Sequence, residues 1–178
     1  MISRFVIAIV LVVAVTSCQP PQMKLRDAIA NAEAQITADS LGEIPVAKGD
    51  SLVNMYIGYT EEYKDDTICA DYFFRAAELS MKIGKPSHAV DFYGRIQRFP
   101  NYRKTARALF MQGFVSENNL HDLDAAKSYY HKFLMQYPNH PLVGDVKIML
   151  ENIGLTPEQL MQRFQANAQV QDSLAQIK

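Results

Sequence analysis

The residues whose types could do chemistry are few. They are Cys18 and Cys69, four histidines (His88, His121, His131 and His140), and the acidic doublets Glu61-Glu62 and Asp65-Asp66. His121-Asp122-Leu123-Asp124 offers three donors to a metal ion. It falls between two stretches of helical periodicity, where His and Asp cap helices or face water, and Asp122 reads as an N-cap. Paired carboxylates for glycoside chemistry need a cleft and a fixed separation. The two doublets fall at a helix end and in a turn, and read as solvated surface. Cys69 opens a helix with no base or cation beside it in sequence, so it reads as a small buried hydrophobe rather than a nucleophile. No CxxC, Gly-rich phosphate loop or GxSxG occurs in the chain. The expectation is a non-enzymatic protein with no catalytic residues, no metal and no cofactor. The formal charge of −1 over 178 residues lacks the basic surplus of nucleic-acid binding, and 48% apolar residues is too many for a disordered acidic chain. The length fits one domain or one short repeat array.

Cys18 draws its meaning from what precedes it. Arg4 provides a positive start, Phe5 to Val15 is an unbroken run of 11 apolar residues, and Thr16 and Ser17 are small. That is the layout of a secretory signal peptide. The run is shorter than the roughly 20 residues that span a bilayer. Without residues 1–17 the chain carries 17 Lys+Arg against 19 Asp+Glu, a net charge of −2.

Val15-Thr16-Ser17-Cys18 resembles a bacterial lipobox, in which an aliphatic residue and two small ones precede an invariant cysteine. The resemblance implies that Cys18 receives a diacylglycerol, that the signal is cut before it, and that the new amine is acylated, commonly with palmitate. Three chains would anchor the protein firmly, since each buried CH₂ adds about 0.8 kcal/mol. Gln19 stands where inner-membrane lipoproteins of this kind carry Asp, which implies the outer membrane. No acidic residue follows Cys18 closely, which implies the periplasmic leaflet.

Almost all of the chain beyond residue 22 has helical periodicity. Leu25, Ala28, Ile29, Ala32 and Ile36 form one stripe between Met23 and Ala38, and Gly42 and Pro45 end that helix. Asp50 or Ser51 is expected to cap a second helix carrying Leu52, Met55, Tyr56 and Tyr59. A third, near Ile68 to Ile83, aligns Phe73, Ala76, Ala77, Ser80 and Ile83, with Gly84 as terminator. Further helices are expected from Pro86, from Tyr102 to Asn118, from Leu123 to Gln136, and from Pro141 to Ile153. A last one opens at Thr156-Pro157-Glu158-Gln159, a capping box with Pro at the first helical position. Its stripe continues through Leu160, Phe164 and Ala168. No alternating strand pattern is present. The spacing predicts an all-α chain: signal peptide 1–17, lipidated linker 18–22, helical array 23–168, and a fraying C-terminal helix or tail 169–178.

Residues 70–100 and 106–138 repeat one pattern of helix, turn, helix and aromatic-Pro, and their prolines Pro100 and Pro138 are 38 residues apart. In the first helix of each, a large apolar residue precedes a small one by four: Phe73 with Ala77, and Leu109 with Gly113. The small residue lets the second helix approach closely. Ala89 and Ala126 hold the matching place on the second helix, with Tyr93 and Tyr130 four residues on. This resembles a degenerate tetratricopeptide repeat, whose period is about 34 residues. Ser80 and Ser116 stand where that family prefers Tyr. The resemblance implies a short right-handed solenoid of about four helix pairs. With the lipobox, it is similar to the tetratricopeptide lipoproteins of the bacterial envelope. That group includes the lipoprotein of the β-barrel assembly machinery and the periplasmic protein of the Tol–Pal system. It implies a protein-binding scaffold at the outer membrane whose partners are envelope proteins or peptide segments, with no nucleic acid and no small-molecule substrate. The Tol–Pal resemblance implies, alternatively, a regulator of cell-wall enzymes or envelope constriction. In this family first-helix residues line a partner groove. Carried onto the chain, these are Asp71, Phe74, Glu78 and Met81, then Arg107, Phe110, Phe114 and Glu117, with Phe74, Phe110 and Phe114 the sharpest. The same rings could instead extend the core.

Overall fold

A computed structural model describes residues 19–39 and 43–175. The expected signal segment 1–17, the expected lipidation residue Cys18 and the expected helix breaker Gly42 lie outside the described residues. Among the described residues there are eight α-helices, one 3₁₀ turn and no strand, so the chain is all-α. The helices are α1 (Pro21–Asp39), α2 (Val46–Glu62), α3 (Cys69–Lys82), α4 (Pro86–Arg95, continued as a 3₁₀ turn Ile96–Arg98), α5 (Thr105–Asn118), α6 (Leu123–Gln136), α7 (Val143–Asn152) and α8 (Pro157–Ala175). They divide into two units at Ile83/Gly84, a boundary that falls inside the first repeat segment. Gly84 there has φ +74°, a left-handed backbone open to glycine at little cost.

The first unit contains α1, α2 and α3. Helix α2 buries Leu52, Val53, Tyr56 and Tyr59, and α3 buries Tyr72, Phe73, Phe74, Ala76 and Ala77. Small residues let these two approach: a Cβ at Gly49 would lie 2.5 Å from Ile83 Cγ2. The Tyr72 ring meets those of Tyr56 and Tyr59 at centroid distances of 5.3 and 5.0 Å. Helix α2 begins at Val46, a turn before the Asp50 or Ser51 cap that the sequence suggested. Pro45, at φ −57°, leads into it, and no side-chain cap bond is made. Proline's preset φ fixes the direction in which the chain enters the helix. Helix α1 buries Ile29 at 1% exposure. The rest of its inward face differs from the apolar stripe expected. Ala28 is exposed, while Gln22, Arg26 and Glu33 share the face of Ile29 at spacings of three or four and reach side chains of α2, α3 and the turn between them.

The second unit contains α4 to α8. Its core gathers Leu109, Ala126, Tyr130, Phe133 and Val146, with Phe110, Tyr129 and Leu150 half-buried against it. Helix α6 has the limits expected from its periodicity, and the Ala125 amide donates to Asp122 Oδ1 at 2.9 Å, the N-cap bond read from sequence. The capping box of α8 also forms. The Gln159 amide donates to Thr156 Oγ1 at 3.2 Å, and the Thr156 amide donates to Gln159 Oε1 at 2.9 Å. Helix α8 runs on to Ala175 without a break at residue 169. Its supposed packing stripe is only partly covered: Leu160 is half-buried, but Phe164 is 60% exposed and Ala168 is exposed. Helix α4 tightens to 3₁₀ geometry before Phe99-Pro100, and Thr105 Oγ1 reaches back to the carbonyls of Phe99 and Tyr102 at 2.8 and 2.7 Å.

Candidate functional site

The eight residues expected to line a groove divide evenly between the units. In the first unit Phe74 is 1% exposed, so it is a core residue and presents no ring to a partner. This corrects its assignment to the groove. Its flank on α3 is filled by Tyr72, Phe73, Ala76 and Ala77, all buried, which leaves the whole aromatic inside. Asp71 is engaged by Arg75 one turn on, at 2.6 Å. Glu78 is exposed and Met81 half-buried.

In the second unit Arg107 is exposed and Phe110, Phe114 and Glu117 are half-buried. Phe110 packs toward the core, 6.3 Å from the rings of both Tyr130 and Phe133. Phe114 lies 6.1 Å from Phe110. The two form one aromatic strip on α5. Glu117 is committed to structure, because its Oε2 accepts from Tyr130 Oη at 2.7 Å. Burial, and then that bond, push the Tyr130 phenol well above its ordinary range. Tyr130 reaches this position because Gly113 has no side chain: a Cβ there would stand 2.5 Å from its Cε1. The small residue that the repeat pattern placed at 113 thus admits α6 onto α5.

The polar face of α1 was not foreseen. Arg26 Nε donates to Tyr59 Oη at 2.7 Å, and its Nη2 pairs with Asp66. Gln22 Nε2 donates to the same two groups, at 3.0 and 2.6 Å. Tyr59 Oη donates to Asp66 Oδ2 at 2.5 Å, and the Ile68 amide to Asp66 Oδ1 at 3.1 Å. Burial works against ionisation of Asp66, yet the bonds from Tyr59, the Ile68 amide and Arg26 outweigh it and hold the carboxyl below its ordinary range. A second knot lies further along α1. Tyr56 Oη donates to Glu33 Oε1 at 2.6 Å, and Arg75 Nη1 donates to both Glu33 oxygens at 2.7 and 3.0 Å. Burial raises the Tyr72 phenol between these knots to about 12. These side chains are mutually satisfied and nest one helix on two others, which is a structural use of charge. The single signal in the sequence was the i, i+4, i+7, i+11 spacing of Gln22, Arg26, Ile29 and Glu33.

Cys69 is buried as expected, and its thiol donates to the Tyr63 carbonyl at 3.1 Å. His121, the residue directly before the α6 N-cap, has φ +55°, and among the described residues no three His, Cys, Asp or Glu side chains gather as for a metal ion. No described helix is long and apolar enough to cross a membrane. The class that fold and faces define is an all-α protein of paired helices with aromatic packing. No protein-family model matches the chain, and no curated protein matches it.

Proposed function

We propose that the chain is a non-catalytic scaffold of the bacterial envelope, held at the periplasmic face of the outer membrane through acylated Cys18, and that its helix pairs form a tetratricopeptide-like solenoid that docks other envelope proteins. The observation that carries this reading is the lipobox-like end of the apolar run, Val15 to Cys18, placed directly before an all-α chain with a repeated helix-pair pattern. The Gly113–Tyr130 approach supports the helix-pair part, since small-against-large packing is what such repeats need. Outer-membrane protein assembly is the preferred setting over the Tol–Pal one. Helix α1 has 19 residues, short of a long coiled coil. In the second unit the partner face is the strip of Phe110 and Phe114 with Arg107 beside it. The test is co-purification from membranes in mild detergent, with Cys18→Ser as the control. A defined envelope partner that is retained by the parent, together with lipid-precursor labelling that the variant abolishes, is expected. Labelling that survives Cys18→Ser, or repeated isolation without any partner, would sink the proposal.

A further inference from the structure

Helix α8 meets the rest of the second unit along a narrow seam. Leu160 and Arg163 are half-buried, and every other side chain from Pro157 to Gln169 is exposed. Arg163 fixes the seam to α7: its Nη2 donates to Glu151 Oε2 at 2.6 Å and its Nη1 to Asn152 Oδ1 at 3.1 Å. Pro157, Met161, Phe164 and Ala168 recur at i, i+4, i+7 and i+11, which makes them a separate stripe of the helix. Met161 is 62% and Phe164 60% exposed. The space over this stripe, about 500 Å³, is lined by α8 alone, through these four residues with Leu160 and Gln165. Helices in water draw most of their stability from burying an apolar face, and here that face is open.

Charge and size together select the occupant. The stripe has no charged residue, and the two charges of the surrounding stretch are committed elsewhere. Arg163 is held on α7, and Glu158 is bonded to its own amide and to Thr156 at the cap. Gln165 borders the stripe, and an amide both donates and accepts, so this border complements an identical one. Along the stripe the bulk falls from Met161 and Phe164 to Ala168. A second copy turned end for end reverses that gradient. With a two-fold axis between Phe164 and Gln165, Met161 of each copy faces Ala168 of the other. The two Phe164 rings then meet beside the axis, where offset aromatic packing is favourable. A parallel copy would set Met161 on Met161 and Ala168 on Ala168, crowding one end and leaving a void at the other.

We propose that α8 is a self-association surface, on which a second copy of this chain docks antiparallel along the Met161, Phe164 and Ala168 stripe. The stripe over residues 157–168 is about 17 Å long. The contact therefore belongs to the weak class that buries less than about 1,200 Å². Confinement of two copies to one membrane surface raises their effective concentration; that point alone rests on the anchored-scaffold reading.

The test uses the full-length chain, by disulfide trapping in membranes and by sedimentation in mild detergent up to millimolar concentration. Phe164→Cys, next to the axis, should give a dimer on mild oxidation. Ala166→Cys, exposed but about 200° away around the same helix, should give little. The parent chain controls for Cys18 and Cys69. In sedimentation Phe164→Glu should weaken association about tenfold or more while helical circular dichroism stays unchanged. Ala168→Leu separates specific from indiscriminate association. It adds apolar surface, so indiscriminate association would strengthen. Inverted pairing instead loses its space opposite Met161 and should weaken about tenfold. Adding Met161→Ala to that variant should restore it. No trapped dimer at Phe164→Cys, equal trapping at Ala166→Cys, an adduct there with a different protein, or stronger association of Ala168→Leu would overturn the proposal. A monomeric chain that still co-purifies an envelope protein would leave the scaffold reading standing, and a dimer without any such partner would remove only that reading.

Discussion

Gly113→Ala and Gly58→Ala are the same chemical change in two helix interiors, and the structure gives them opposite signs. At Gly113 the added methyl would stand 2.5 and 2.6 Å from Cε1 and Cδ1 of Tyr130, whereas ordinary contact begins near 3.4 Å. The ring must retreat by roughly 1 Å, and it is fully buried against Leu109, Ala126 and Phe133, with its hydroxyl tied to Glu117. Overpacking of this kind costs about 1–3 kcal/mol. Removing a glycine from a helix returns about 0.5–1 kcal/mol. Taking the middle of each range, the balance is a loss of about 1 kcal/mol, or a fall in Tm of about 2–4 °C for a chain of this size. At Gly58 nothing lies within 4 Å of the new methyl, so only the favourable helix contribution remains, a gain of about 0.5–1 kcal/mol. Thermal and urea unfolding followed by helical circular dichroism measure both. A Gly113→Ala variant as stable as the parent, or more stable, would refute the claim that close approach at this position sets the packing of α5 against α6.

Other outcomes follow from the same contacts. Tyr130→Phe removes the bond to Glu117 and should cost about 1.5–3 kcal/mol in urea unfolding, because the acceptor is charged. Arg26→Leu takes two bonds from the Tyr59 and Asp66 cluster and should lower hydrogen-exchange protection across α1 and α2 while leaving α6 protection unchanged. The Asp66 carboxyl is held below its ordinary value of 3.8, so the folded state binds its proton less tightly than the unfolded state does. Its stabilising contribution is therefore complete above that value and is lost as pH falls through the folded one; Asp66→Asn should flatten this part of an acid-unfolding curve. Thr156→Ala should cost α8 about 1 kcal/mol of cap stabilisation, seen as faster amide exchange in its first turns.

Much of the fold could be read from short-range pattern. The limits of α6, the Asp122 cap, the Thr156/Gln159 box and the glycine at 113 are all decided within a few residues of chain. The face of α1 was hidden because its partners are distant: Arg26 meets Tyr59 and Asp66 across 33 and 40 residues. An Arg and a Glu on a helix read as solvent-facing until the tyrosines that receive them are in place. Phe74 failed as a groove residue for a related reason. Periodicity puts Phe73 and Phe74 on adjacent faces of α3, and only packing shows that both faces are covered.

The central claim is that an envelope protein docks on this chain, and photocrosslinking in living cells tests it most directly. A photoreactive residue placed at Phe114, half-buried on the α5 strip, should give a defined adduct with an envelope protein, and one at exposed Lys147 on α7 should give none. Equal adducts at both positions, or none at Phe114 while the anchored protein is abundant in the outer-membrane fraction, would contradict the account.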